Sequence, residues 1–252
     1  KALTSQAVSQ LVTNIKQDNV TSIGEMVDEK VIINAMAALL ATGGSTNHLI
    51  HWVAIAHAAG IIIAWSDFHD LAKAVPLLTN IYPNGTADVN QFQDAGGPAF
   101  VLRELLDNGC MHPDVATVSP GGIYDYTKIP AVQKEKLIWS DVPEQSGDET
   151  IIRKASNPFN ESGGLRLLKG NIGRSVIKIS SVPEDRHLIE APAMIFNGQE
   201  ELLKAFDEGK LERDFIAVVR FQGPKSNGMP ELHKLTPPLS IIQNKGFRVA
   251  IV

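Results

Sequence analysis

One cysteine, Cys110, stands in 252 residues. No internal disulfide can form, and no site built from several thiolates can be assembled from this chain. No apolar run approaches the roughly 18 residues that a membrane-crossing helix needs. The start, Lys1-Ala2-Leu3-Thr4, lacks a signal-peptide pattern. Clusters of basic residues are missing too: 23 Lys and Arg are scattered among 28 Asp and Glu, and the net charge of −5 leaves no positive field for nucleic acid. These absences argue against a disulfide scaffold, a helical membrane protein and a nucleic-acid binder. The expectation is a soluble, cytoplasmic protein. With 44% hydrophobic residues, the chain can bury a substantial core as one large domain or two modest ones.

Leu3, Ala7, Val8, Leu11, Val12 and Ile15 have the spacing of a first helix. A second, from Ile23 or Met26 to about Leu40, is apolar enough after Val31 to be buried on most sides. Thr42-Gly43-Gly44-Ser45-Thr46-Asn47 interrupts it, and the next helix runs from His48 to Ala59 with Gly60 as its stop. Ile61-Ile62-Ile63-Ala64-Trp65 reads as a strand, followed by a helix reaching Leu78. Asp67, His69 and Asp70 have metal-ligand chemistry, but a helix N-cap explains Asp67 more simply. A further element starts at Asp88 and is broken by Gly96-Gly97-Pro98, and a helix starts at Ala99, closed by Asn108-Gly109. Cys110, with apolar flanks and no activating charge, reads as a buried, inert thiol. Residues 115–161 look irregular and anchored by Tyr124 and Trp139, with a linker at 157–164.

After Gly163-Gly164 the texture changes to strands at 165–171, 175–179, 193–196 and 215–220, with an amphipathic helix at 199–208. A helix from Thr236 or Leu239 to Asn244 leads to a last strand, 247–252, apolar enough to be buried on both faces if it is parallel. Chains rarely stop on such a strand, so the sequence reads as an internal piece of something longer. Two domains are expected, 1–160 and 161–252.

Two stretches carry chemistry. A Gly-Gly-Ser-Thr-Asn turn between two helices gathers backbone N–H groups where anionic oxygens bind favourably, which suits a carboxylate or phosphate. The alternative is that Ser45 or Thr46 only caps the following helix. The strand at 215–220 releases a loop rich in Gly and Pro that holds Glu231, His233 and Lys234 close together. On spacing alone Glu231 could equally be a surface carboxylate, and His233 either orients a substrate or faces solvent.

Gln222-Gly223-Pro224 followed by Asn227-Gly228-Met229-Pro230-Glu231-Leu232-His233-Lys234, with Ala41-Thr42-Gly43-Gly44-Ser45-Thr46-Asn47-His48 upstream, resembles the signature of the dihydroxy-acid/6-phosphogluconate dehydratase family. The resemblance runs through nearly the whole chain, and Leu232-His233-Lys234 is closer to the 6-phosphogluconate branch. It implies an α/β fold: a three-layer α/β N-terminal portion, then the first part of a swivelling β/β/α domain like that of aconitase. It also implies a homodimeric hydro-lyase that converts 6-phospho-D-gluconate to 2-dehydro-3-deoxy-6-phosphogluconate, the first committed step of the Entner–Doudoroff route. A [4Fe–4S] cluster held by cysteines before Lys1, a divalent cation such as Mg²⁺ or Mn²⁺, and a reactive serine beyond Val252 complete the implied machinery.

Such a reaction must remove the proton beside a carboxylate and expel hydroxide from the neighbouring carbon, with a cation and a Lewis acid to carry the developing charges. By the resemblance, Glu231 is the catalytic carboxylate and a cation ligand, and Ser45, Thr46 and Asn47 line the substrate pocket. Lys234, Arg174 and Lys225 are candidates for the phosphate, Arg174 for its bidentate geometry. The rival readings are a dehydratase of an unphosphorylated sugar acid or a branched dihydroxy acid, and a catalytically silent binding module.

Overall fold

The computed structural model describes residues 1–82, 84–134, 136–223, 226 and 232–252. By its contacts the chain divides into two compact units, Lys1–Ser181 and Val182–Val252.

Helices dominate the first unit: α1 (Ala2–Lys16), α2 (Ile23–Met26), α3 (Glu29–Ala41), α4 (Thr46–Ala58), α5 (Trp65–Leu71), α6 (Val89–Asp94) and α7 (Gly97–Asp107). Two antiparallel hairpins accompany them, β1 (Lys128–Gln133) with β2 (Lys136–Asp141), and β3 (Leu165–Gly170) with β4 (Gly173–Lys178). Helix α3 is the axis of the core. Asp28 caps it by accepting the Val31 N–H at 2.8 Å. Its Ile32, Met36, Leu39 and Leu40 are buried in one cluster with Phe68 of α5 and Phe100, Val101 and Leu105 of α7.

Several expectations change here. Two N-caps within six residues, Ser22 and Asp28, split the expected second helix, leaving α2 as a single turn. Residues 61–64 form no strand: the Ile61 N–H closes α4 on Ala56 at 2.8 Å, Ile62 is exposed, and among the described residues no other segment pairs with them. The N-cap of α5 is Ala64, whose N–H donates to Asp67 at 2.7 Å, so Asp67 caps from inside the helix. Tyr124 and Trp139 are about half exposed, while Val142, Ile151 and Ile152 anchor their segment. Residues 157–164 are packed in place: Phe159 N–H donates to Leu77 at 2.9 Å, Leu77 N–H to Asn160 at 2.8 Å and Gly163 N–H to Ala72 at 2.9 Å. By contacts, therefore, the division follows Ser181.

The second unit alternates strand and helix: β5 (Ala193–Phe196), α8 (Gln199–Asp207), β6 (Phe215–Val219), α9 (Thr236–Asn244) and β7 (Val249–Ile251). Its three strands are parallel in the order β5-β6-β7. Phe215, Ala217 and Val219 of β6 are buried with Phe196, Leu202, Leu211, Leu239 and Ile242. The last strand is buried only at Val249. Ile251 is 40% exposed, because β7 is an edge of the described sheet. The chain is thus mixed α/β. Within the first unit the described strands make separate hairpins beside a helical core, in place of the continuous sheet that three layers require. Among the described residues no helix is long and apolar enough to cross a membrane.

Candidate functional site

The glycine turn between α3 and α4 is densely hydrogen-bonded. Thr42 is the C-cap of α3, and Gly43 follows at φ +57°. The Gly43 N–H donates to Leu40 at 3.2 Å and the Gly44 N–H to Leu39 at 2.9 Å. That pair defines a Schellman cap, whose left-handed position suits glycine. The Thr42 hydroxyl donates to Ala38 at 2.7 Å, the Leu78 N–H to Ala41 at 2.8 Å and the Thr79 hydroxyl to Thr42 at 3.0 Å. Finally, Nζ of Lys178, at the end of β4, donates to the Gly43 carbonyl. Every carbonyl from Ala38 to Gly43 has a partner, at a helix end that ordinarily leaves several bare.

Side chains close in on both glycines. A Cβ at Gly43 would run into Nδ2 of Asn84, and one at Gly44 into Leu39. Both polar atoms of the Asn84 side chain are buried without a hydrogen-bond partner among the described residues. Lys178 is half-buried, and desolvation pushes its ammonium below the ordinary lysine value. Ser45 then turns extended and caps α4, its Oγ accepting the Asn47 N–H at 3.2 Å. Buried Leu49 roots that helix, while Ser45 and Thr46 are exposed and Asn47 is half-buried. Chemically, the turn presents a hydroxyl-bearing helix N-terminus, a carboxamide and a nearby ammonium, donors suited to oxygens of an anion or polyol.

In the second unit, the chain leads into the other motif from the carboxyl end of β6, the edge where parallel sheets generally receive ligands. The Arg220 N–H donates to Phe196 at 2.8 Å, and its guanidinium Nε donates to Oδ1 of Asn197 at 3.0 Å. Phe221 next to it adopts φ +61°, a left-handed conformation costly for an aromatic residue. Nε2 of Gln199, the first residue of α8, reaches Oε1 of Gln222 at 3.3 Å.

Residues 1–125 match the family model described as Dihydroxy-acid/6-phosphogluconate dehydratase N-terminal, and residues 150–252 match its C-terminal counterpart. The chain belongs to this dehydratase family. It is 53% identical over 234 residues to the phosphogluconate dehydratase of Pseudomonas aeruginosa, covering 93% of this chain and 38% of that protein. The phosphogluconate dehydratase of Zymomonas mobilis is 51% identical over 254 residues, 100% of this chain and 42% of that one. The dihydroxy-acid dehydratase of Metallosphaera sedula is 35% identical over 222 residues, 87% and 37% of the two chains. The chain therefore spans well under half the length of the curated relatives it matches. Since the second family model starts at 150, hairpin β3–β4 falls in the family's C-terminal part by sequence and in the first compact unit by contacts.

In this member of the family the structure brings Ser45, Thr46 and Asn47 together at one helix start. Arg174 stands exposed near the tip of hairpin β3–β4, four residues or roughly 13 Å along β4 from Lys178. His233 and Lys234 are exposed in a short 3₁₀ turn, Leu232–Leu235, in the second unit. Glu231 and Lys225 lie outside the described residues. Asp67, His69 and Asp70 are used separately: Asp67 caps, Nδ1 of His69 accepts the Leu167 N–H at 3.3 Å, and Asp70 pairs with Lys73 at 2.7 Å. Among the described residues no group of three or more His, Cys, Asp and Glu could hold a metal. Cys110, expected to be buried, is half-buried, and desolvation raises its thiol above the ordinary value.

Lys178, Thr79 and Asn84 went unnoticed in the sequence. For Lys178 a signal existed: alternation along β4 sets it on the same face as Val176, which packs on the core, so a lysine occupies an inward position.

Proposed function

We propose that this chain forms the substrate-binding portion of a hydro-lyase that dehydrates 6-phospho-D-gluconate to 2-dehydro-3-deoxy-6-phospho-D-gluconate, in the Entner–Doudoroff route. The observation that carries this reading is the gap in identity. The chain is 51% to 53% identical to two phosphogluconate dehydratases and 35% identical to a dihydroxy-acid dehydratase. The Leu232-His233-Lys234 sequence favours the same branch. In this proposal the Ser45 hydroxyl, the Thr46 hydroxyl and the Asn47 amide bind substrate hydroxyls or carboxylate at the start of α4, where the helix dipole favours negative charge. Lys234, Arg174 and Lys225 are the candidates for the phosphate, His233 orients the substrate, and Glu231 is the cation ligand. The division at 160/161, the swivelling β/β/α character of the C-terminal part, a homodimer and a cytoplasmic location belong to the same proposal.

Dehydratases of this family are implied to use a [4Fe–4S] cluster, which takes several thiolates. Cys110, single in this chain, does not supply that set, and in this proposal the cluster's ligands are cysteines outside these 252 residues. For Mg²⁺ or Mn²⁺, the described residues offer no ligand group. The chain's own contribution is to bind and orient the acid.

Comparing turnover of 6-phosphogluconate with that of gluconate and of a branched 2,3-dihydroxy acid in the holoenzyme tests the substrate. At least about 100-fold preference for the phosphorylated acid is expected, as for a site that pairs polar groups with its ligand. Equal turnover of gluconate refutes the phosphate reading. Asn47→Ala should raise KM roughly tenfold or more, and unchanged affinity removes the turn from the site.

A further inference from the structure

Among the described residues, the Gly43 carbonyl just past the end of α3 is met by a charged side chain, from a residue 135 positions away in sequence. The carbonyls before it are met by the helix's own cap or by the packed segment 77–79. Half-burying an ammonium is costly where a neutral donor would serve the same bond. Burial is also what displaces its protonation equilibrium. One thing favours a cation at this place: the carbonyl it meets follows the C-cap of α3, a helix C-terminus, where positive charge is stabilised. On its other side Gly43 is blocked by the Asn84 amide and by Leu77, so the Gly43–Gly44 peptide is held from hairpin β3–β4 and from residues 77–84 at once.

We infer that Lys178 is a positioning residue for substrate binding: by clamping the Gly43 carbonyl it sets the orientation of the turn, and with it the Ser45 hydroxyl and the Asn47 amide. This rests on the reading of that turn as the substrate-binding element. A clamp made by a flexible lysine tip, anchored by β4, ties the register of the hairpin to the geometry at the start of α4. Loss of the clamp leaves the Gly43–Gly44 peptide with its N–H bond to Leu39 but takes the lysine from its carbonyl, and the turn then samples more conformations that do not bind. Substrate affinity falls while the packed helices stay in place.

The test is steady-state kinetics and substrate binding on the holoenzyme carrying Lys178→Met, Lys178→Arg, Asn47→Ala and the double substitution Lys178→Met/Asn47→Ala. Lys178→Met is expected to raise KM for the sugar acid by roughly tenfold with kcat changed less than about threefold, and Lys178→Arg to restore KM to within about threefold of wild type. Because the lysine acts through the turn, adding Lys178→Met to Asn47→Ala should raise KM by less than about threefold more. If Lys178→Met does not fold, Lys178→Ser, polar but too short to reach the Gly43 carbonyl, takes its place with the same expectations. Unchanged KM in the lysine variants beside a raised KM in Asn47→Ala overturns the inference alone, as does full additivity in the double variant. So does a lowered Tm with wild-type KM, the signature of a purely structural lysine. Wild-type KM in Asn47→Ala instead removes the reading of the turn itself.

Discussion

Helix α1 spans 15 residues and α3 spans 13, and both carry apolar side chains at helical spacing, yet no residue of α1 is buried while seven of α3 are. Leu11 and Ile15 of α1 are 55% and 58% exposed; Leu40 of α3 is 1% exposed. A groove of about 610 Å³ lies beside α1, lined by Leu3, Ala7, Tyr126, Leu137 and Trp139 among others. The two helices even end alike. In α1, Asp18 at φ +53° follows the C-cap, and Asn19 N–H donates to Asn14 at 2.9 Å, the same cap that Gly43 and Gly44 make on α3. An apolar stripe thus states that a helix can be buried, not that it is. Partners supplied by distant segments decide that, and α3 has them in α5 and α7.

Four substitutions probe this contrast in the 252-residue chain, read by chemical or thermal unfolding. Leu40→Ala should cost about 2–5 kcal/mol, as for other buried leucines; a cost under about 1 kcal/mol would erase the distinction. Gly43→Ala should cost about 1–3 kcal/mol, combining left-handed strain with collision against the Asn84 amide. The matching change in the open helix, Asp18→Gly, has the opposite sign: it relieves the same strain and removes an acid from a helix C-terminus, for a gain of about 0.5–1 kcal/mol. Leu11→Ala should fall within about 0.5 kcal/mol of wild type, because little of its surface is covered. A loss of several kcal/mol there would mean that α1 is packed as tightly as α3.

The same contrast explains which sequence expectations held. The helix ending at Gly60, the hairpin around Gly170 and Gly173, and the strand-helix-strand order from Ala193 onward were legible, because caps, glycines and alternation act within a few residues. Residues 61–64 were not, since an apolar β-branched run becomes a strand only when another segment pairs with it. Trp139 looked like an anchor and is half exposed; Ile151 and Ile152, less conspicuous, are the buried ones. At the candidate site, Ser45-Thr46-Asn47 and the motif after β6 were visible as motifs, whereas Lys178 and Asn84 mattered only through what they touch.

By itself, the amino-acid sequence determined the family, the places where most helices begin and end, and the residue types available at the glycine turn, since each depends on neighbours a few positions apart. Which apolar stripe is covered, where the contacts divide the chain, and that a lysine of β4 meets the carbonyl of Gly43 were decided by tertiary structure. Those outcomes depend on which distant segments share a core, a free-energy balance over the packed unit that no local pattern contains.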